Sequence, residues 1–251
     1  MNSSDPSLSI AIFPWGDTIE TFLEPIGLSL QDFVFRMKGG WLFNYAAALS
    51  SVGNRPVIIC LSSEISEVRH FHHFETGTPI WAIPASPPKA SRFHNVYSVR
   101  RWAAVPLMEF RGILNQIGCD VVLVQEYEDP RYDALAYLAN RMSIPIFATF
   151  QGGNWTASWL ESVARSVTLR ACTGLIVASA EERARLRQTY PRIDLKMADI
   201  PNPIDVNEWR AYPREMARNE LGLRSEVFIA INHGRTDIWR KGLDILIEAW
   251  E

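Results

Sequence analysis

The sequence predicts an α/β protein with a doubly wound, parallel sheet, followed by the start of a second domain of the same kind. Short apolar runs recur along the chain without alternating polar residues, which is typical of strands buried on both faces. Helix-like stretches separate these runs, and this order favours parallel strands joined by helices. One polar segment with several prolines interrupts the series late in the chain.

The predicted strands are short, nearly continuously hydrophobic and rich in β-branched residues. In chain order they are LSIAIF (8–13), PVIICL (56–61), IWAI (80–83), DVVLVQ (120–125), PIFATF (145–150), GLIVAS (174–179) and VFIAIN (227–232). The predicted helices between them are GWLFNYAAALSSVG, VPLMEFRGILNQIG, YDALAYLANRM, SWLESVARSVTLRA and AEERARLRQTY.

The interruption is the segment ADIPNPIDVNEWRAYPREMARNELGLRSE, which ends one strand-helix series before VFIAIN opens another. We place the boundary near Asn202 to Pro213. This gives a first domain at residues 1–205, and a linker with the start of a second domain at residues 206–251.

Composition excludes several classes of protein. The chain has 251 residues, 47% of them hydrophobic, and a formal net charge of -3, so it lacks the basic excess of a nucleic-acid-binding protein. The three cysteines, Cys60, Cys119 and Cys172, lie in or beside apolar stretches and form no CxxC pair, which indicates reduced thiols in a cytoplasmic protein. The sequence shows neither a signal peptide nor an apolar run of about 18 residues that would span a membrane.

The segment MKGGWLFNYAAAL carries a first candidate site. Gly39 and Gly40 precede a predicted helix, whose first turn presents free N–H groups and the positive end of the helix dipole. Glycines let a ligand approach the backbone closely, although a tight turn packed on the sheet explains the pair equally well. The GxGxxG fingerprint is absent, so dinucleotide binding is not indicated.

The segment TFQGGNW carries a second candidate, just after the predicted strand PIFATF. Open α/β sheets place their ligand crevice at the carboxyl ends of the strands. Gln151 and Asn154 offer hydrogen bonds to hydroxyl groups, Gly152 leaves space beside them, and Trp155 offers a ring for stacking. An ordinary strand-to-helix loop is the alternative.

Two further polar groups have ambiguous roles. Glu126, Glu128 and Asp129 follow the strand DVVLVQ, where they suit acid or base groups but also caps of the next helix. The segment RHFHHF (69–74) holds three of the five histidines. We interpret it as a surface loop rather than a zinc site, because metal ligands need convergent geometry.

The stretch HGRTDIWRKGLDILIEAWE (233–251) is typical of an anion-binding loop. Arg235 and Lys241 are followed by Gly242 and the start of an amphipathic helix. Two cations beside a helix N-terminus suit a phosphate.

These motifs agree in order and spacing with a known family. The Gly-Gly loop, PIFATFQGG, GLIVASAEERARL, IPNPIDVNEW, ARNELGL and the final stretch together resemble the retaining, nucleotide-sugar-dependent glycosyltransferases of the GT-B fold, in the group-1 family (family 4). The resemblance covers nearly the whole chain and is most specific in the final stretch.

The resemblance implies two Rossmann-like domains that face a cleft, with the acceptor on the first and a nucleotide-diphosphate sugar on the second. Arg235 and Lys241 match the catalytic cations that clamp the donor diphosphate without a metal or other cofactor, with Gly40 also near the phosphates. Acceptor binding is assigned to Gly39, Gly40, Glu126, Gln151, Gly152 and Asn154. The implied acceptor is a sugar, a lipid or another hydroxyl compound, and peripheral association with a membrane stays open.

The sequence departs from the family pattern at three points. Gln151 stands where family members often have His, and Pro203 stands where they usually have Gly. The two donor-binding glutamates of the family have no counterpart before Glu251, so we expect this chain to be the acceptor domain, inactive alone. The alternative is a non-catalytic module that binds a glycan or a partner.

Overall fold

The computed structural model describes residues 7–152, 158–231 and 238–250. The chain divides into two compact units, Met1–Ile204 and Asp205–Glu251. The strands of the described residues are β1 (Ser9–Phe13), β2 (Arg55–Ser62), β3 (Arg69–His72), β4 (Pro79–Pro84), β5 (Val121–Gln125), β6 (Ile146–Thr149), β7 (Gly174–Ile176) and β8 (Met197–Ala198).

The described residues also form helices. Those of the first unit flank the sheet, and the second unit contains further ones. They are α1 (Glu20–Leu23), α2 (Leu30–Phe35), α3 (Gly40–Ser51), α4 (His94–Ala103), α5 (Leu107–Gln116), α6 (Pro130–Arg141), α7 (Trp159–Ala171), α8 (Ala180–Thr189), α9 (Arg214–Glu220), α10 (Ile238–Lys241) and α11 (Leu243–Glu248), with a short 3-10 helix at Glu24–Ile26.

The predicted doubly wound α/β fold is confirmed. Within the described residues the eight strands form one sheet in the order β3-β4-β2-β1-β5-β6-β7-β8. All neighbouring pairs are parallel except β3 with β4. The sheet is therefore mostly parallel, with one antiparallel edge strand.

The core explains why the strands are hydrophobic at every position. Alternate residues of β1 point to opposite faces of the sheet. Ala11 and Phe13 pack in a cluster with Phe110 of α5, whereas Ile10 and Ile12 pack in a second cluster on the other face. Helices cover both faces, so no position of this central strand faces water.

The histidine-rich segment is a correction to the sequence analysis. The predicted loop forms β3, which pairs antiparallel with β4 from Arg69 opposite Ala82 to His72 opposite Pro79. His73 is buried, stacks on Phe43 and places its Nε2 2.8 Å from the Met37 carbonyl. No group of three metal-ligating side chains occurs in the residues that the structure describes.

The last predicted strand is also wrong. Residues 227–231 adopt no regular strand, and Phe228 and Ile231 are largely exposed. A strand needs a neighbour for its backbone groups, and the described residues of the second unit contain no other strand to pair with it.

The cysteines are free thiols, as predicted. Cys60 is buried in β2, and burial raises the pKa of its thiol to about 12, so it stays protonated at neutral pH. No helix of the described ranges has both the length and the apolar character needed to cross a membrane.

Candidate functional site

A group of polar side chains occupies the carboxyl edge of the sheet, where β5 and β6 end. Gln125 closes β5 and Thr149 closes β6, and both are buried. The Thr149 hydroxyl donates to Gln125 Oε1 at 2.9 Å. Because ligands of open α/β sheets bind beyond the carboxyl ends of the strands, this edge is the candidate site.

Glu126 has an unusual backbone at this edge. Its φ is 92°, a region that residues other than glycine rarely adopt. The carboxylate is buried and accepts from the backbone N–H of Glu128 at 3.2 Å and of Gln151 at 3.0 Å. The strained residue therefore links the loop after β5 to the loop after β6, and such strain is concentrated at functional sites.

Gln151 lies directly beside Glu126, as the sequence analysis requires of two residues in one site. Its Nε2 is within hydrogen-bond distance of Gln125 Oε1 (2.9 Å) and Thr149 Oγ1 (2.8 Å). It also exchanges hydrogen bonds with Asn202. Gln151 is thus a neutral amide that Gln125 and Thr149 hold at the strand ends. It also faces Asn202.

The other predicted acceptor residues that the structure describes lie in the loop after β6 and at the start of α3. Gly152 follows Gln151 with a φ of 89°. Asn154 lies outside the described residues, as does Trp155. Gly39 is the N-cap of α3 and Gly40 is its first residue, and both have positive φ.

The Gly-Gly loop stands at some distance from Gln151. Helix α3 packs on β2 and leads into its amino end, so Gly40 at the helix start lies toward the carboxyl edge. Three strand spacings separate β2 from β6, about 14 Å in a regular sheet. The two loops therefore follow strands that are not neighbours in the sheet.

The structure decides the roles of the two acidic residues after Glu126. Asp129 caps α6, since its side chain accepts from the Arg131 N–H at 2.8 Å. It also accepts from Gly16 N at 3.1 Å and from Arg101 Nη2 at 3.1 Å. Glu128 pairs with Arg185. The capping interpretation is confirmed for Asp129, and neither carboxylate is a free acid or base.

The pKa values of these carboxylates diverge because their neighbours differ. Burial by itself raises the pKa of Asp129, but Arg101, Arg131 and the N–H groups outweigh it and hold that pKa below its usual range. Burial raises the pKa of Glu128, which Arg185 only partly offsets. Asp129 is therefore ionised under the site at neutral pH.

Buried arginines support this edge, and the sequence analysis missed all of them. Arg101 reaches Asp17 at 2.6 Å, and Arg165 binds Asp133 through two bonds of 2.8 and 3.0 Å. A cavity of about 10 Å³, with room for one water, lies between Asp17, Arg101 and Arg131. A single arginine within a helix sequence does not reveal that its side chain is buried, so these residues could not be predicted.

The two predicted donor cations belong to the second unit. Arg235 lies outside the described residues. Lys241 is exposed and ends α10, and Gly242 turns the chain with a φ of 62° into α11. The predicted helix after the basic loop is present, as α11.

Two other cavities lie away from this edge. One of about 400 Å³ is lined by Asn54 and Thr78, and another of about 450 Å³ is lined by Arg111 and Arg141. Both are open grooves at the amino edge, where loops enter the strands. We assign the site to the carboxyl edge because the buried polar side chains of Gln125, Glu126 and Thr149 lie there beside the strained backbone of Glu126.

The fold is that of a Rossmann-like α/β protein, and its candidate site is a polar edge at the carboxyl ends of the strands. The model of the family Glycosyltransferase Family 4 matches residues 41–208. The chain belongs to this family. No curated protein sequence matches it significantly.

A solved structure of the GT-B type shares this fold. A sucrose-phosphate synthase from Thermosynechococcus elongatus matches with a TM-score of 0.60 and 15% identity, over 97% of this chain and 59% of that one. A UDP-GlcNAc 2-epimerase from Methanocaldococcus jannaschii matches with a TM-score of 0.43 and 15% identity, over 77% and 45%. This chain thus spans about three-fifths of the synthase structure.

Proposed function

We propose that this chain supplies the acceptor side of a glycosyltransferase that moves a sugar, with retention, from a nucleotide-diphosphate donor to a hydroxyl group. Family membership and the GT-B type fold support the reaction class. The single observation that carries the acceptor role is the position of Gln151 at the carboxyl edge, where Glu126 accepts from its backbone N–H and Gln125 and Thr149 hold its side-chain amide.

The Gln151 side chain suits a sugar hydroxyl. Its outer partner, Asn202, gives and takes one hydrogen bond. A hydroxyl group is also both donor and acceptor, so it replaces Asn202 without leaving the amide unpaired. Gln151 does not titrate, so in this proposal it orients a substrate and does not carry a proton.

The donor chemistry falls to the second unit. Bond cleavage at the anomeric carbon builds negative charge on the nucleoside diphosphate, and two fixed cations beside a helix N-terminus stabilise that charge. We assign these cations to Arg235 and Lys241, with Gly40 admitting the phosphates from the first unit. Gly39, Gly152 and Asn154 complete the acceptor side.

A transfer assay on a panel of nucleotide-sugars tests the proposal. We expect release of nucleoside diphosphate by the native protein, including any residues that adjoin these 251. We expect no turnover by the 251 residues alone, because the synthase structure that they match is longer. Measurable transfer by the purified chain contradicts this part of the proposal.

The cation assignment has its own test in the active protein. Arg235→Ala and Lys241→Ala should each raise the barrier by roughly 2–4 kcal/mol, which is the scale of losing one preorganised charge stabiliser. Arg55→Ala, at an exposed position on the amino edge of the sheet, is the matched control. Wild-type rates in both alanine variants show that the cations have another role.

A further inference from the structure

Strand β3 holds a pair of histidine side chains that the proposed function does not use. Successive side chains of a strand point to opposite faces of the sheet. Phe71 packs against the core, so His70 and His72 lie together on the other face. The centroids of their rings are 4.8 Å apart, and both residues are exposed. The strand therefore brings the two imidazoles together at the surface.

The third histidine of the segment fixes the turn that follows β3. The His73 N–H donates to the Thr78 carbonyl at 2.9 Å, which closes the turn between β3 and β4. The His73 ring is buried, with Nδ1 3.0 Å from Thr76 Oγ1 and Nε2 2.8 Å from the Met37 carbonyl. Both of its ring nitrogens are thus engaged. The exposed pair stands on a backbone that is held in place before any ligand arrives.

Two neighbouring imidazoles can chelate a transition-metal ion. Imidazole nitrogen is a good ligand for Zn²⁺, Ni²⁺ and Cu²⁺. Two imidazoles on one tetrahedral ion, each at about 2.1 Å, have their bonding nitrogens about 3.4 Å apart. The rings of His70 and His72, with centroids 4.8 Å apart, reach that spacing by rotation of their exposed side chains.

The surroundings of the pair favour a cation. Residues 64–75 contain three glutamates and one arginine, so the charge of this segment is net negative when its imidazoles are neutral. The arginine, Arg69, lies on the opposite face of β3 from the pair, and its Nη2 is 3.9 Å from Glu67. Since β3 is an edge strand of the sheet, no strand of the described residues lies beyond it.

We propose that His70 and His72 bind one divalent transition-metal ion. No third metal-ligating side chain of the described residues joins them, so water fills the remaining coordination positions. Cu²⁺ is the most tightly bound ion in the usual order of affinities. Five strand spacings, about 24 Å, separate β3 from β6, so the pair is distant from Gln151. The inference goes beyond the proposed transfer reaction and does not depend on it.

Quenching of tryptophan fluorescence by Cu²⁺ tests this site in the full chain. The centroid of the His70 ring is 4.8 Å from that of Trp81 on β4, so an ion bound to His70 lies close enough to quench this indole. We expect saturable quenching at one ion per chain. Trp81→Phe should remove most of the quenching, while equilibrium dialysis shows that the ion still binds.

Replacing single histidines separates the pair from other groups that bind metal. His70→Ala and His72→Ala should each weaken Cu²⁺ binding about tenfold or more, because even the loss of a residue that only supports a metal ligand costs that much. His94→Ala, at an exposed position of α4, is the control and should leave binding unchanged. Zn²⁺ should compete with Cu²⁺, whereas Mg²⁺ should not, since it prefers oxygen ligands.

The three histidine variants should keep the far-UV circular dichroism of the wild type, because each replaced side chain is exposed. Wild-type Cu²⁺ affinity in His70→Ala or in His72→Ala overturns the proposal. An equal loss of affinity in His94→Ala, or quenching that Trp81→Phe leaves intact, does the same.

Discussion

Gln151 and Asn202 exchange two hydrogen bonds across 51 positions of sequence. Gln151 Nε2 lies 3.2 Å from Asn202 Oδ1, and Asn202 Nδ2 lies 3.0 Å from Gln151 Oε1. The pair joins the loop after β6 to the proline-containing segment after β8. This segment is therefore part of the candidate site as well as the connection between the units.

A double-mutant cycle should detect this pair. Gln151→Ala, Asn202→Ala and the double variant should give a coupling energy of about 0.5–1.5 kcal/mol in urea unfolding, the usual value of a hydrogen-bonded pair. Asn95→Ala, at an exposed position of α4, should combine additively with Gln151→Ala. A coupling near zero would show that the two amides do not meet in solution.

The backbone of Glu126 gives a second prediction. Both Glu126→Ala and Glu126→Gly lose the carboxylate, but only glycine relieves the positive φ. The Gly variant should therefore be more stable than the Ala variant by about 1 kcal/mol in urea unfolding.

Position 184, exposed within α8, provides the reverse control for Glu126. There Ala184→Gly should destabilise the protein by about 1 kcal/mol, because glycine is a poor helix former. If Ala is as well tolerated as Gly at position 126, the left-handed backbone assigned to Glu126 is wrong.

The ionised Asp129 predicts a defined response to acid. Its pKa is depressed in the folded protein, so its contribution is complete above the unfolded value, about 3.9, and is lost as pH falls through the folded value. Asp129→Asn should cost about 3 kcal/mol at neutral pH, since it leaves Arg101 buried with one partner fewer.

The difference between wild type and Asp129→Asn should begin to shrink below pH about 4 and disappear once the pH is below the depressed folded pKa, where the wild-type carboxylate is also protonated. Urea unfolding across a pH series measures it, with Asp194→Asn at an exposed site as the control. If the difference in unfolding free energy stays constant down to acid pH, the charge of Asp129 is not the cause of its stabilising effect.

The second unit should be the less stable part of the chain. Residues 227–231 lack strand pairing and expose apolar side chains. Limited proteolysis should cut between Asn202 and Glu226 and leave a stable core, and amides of 228–231 should exchange hydrogen far faster than those of 121–124. Equal protection in both segments would make the tail an integral part of one domain.

The sheet could be predicted because local sequence determines it. Each of β1, β2, β4, β5, β6 and β7 falls on a predicted apolar run, since burial on both faces leaves a continuous hydrophobic signal. Helix α4 was not predicted, because its sequence lacks such a signal. Its apolar residues face outward and its inward residues include Arg101, so its pattern does not indicate a core-facing helix.

The candidate site could be predicted only in outline. The positions of Glu126 and Gln151 after two predicted strands indicated that both lie at one edge of the sheet. In the structure the Gln151 N–H donates to the Glu126 carboxylate. The positive φ of Glu126 and the arginine pairs depend on contacts between distant residues, which no local pattern reveals. The run VFIAIN was predicted as a strand from its local pattern, but an apolar run forms a strand only when a neighbouring strand is available to pair with it.

The most direct test of the account is the rate of sugar transfer by the native protein when Gln151 is changed. The account predicts that Gln151→Ala lowers kcat/KM about tenfold or more, as expected when a substrate hydrogen bond is lost. It predicts that Gln151→His keeps or improves activity, and that Val52→Ser matches wild type. Wild-type kcat/KM in Gln151→Ala, or complete loss in Gln151→His, would contradict the placement of the acceptor at this edge.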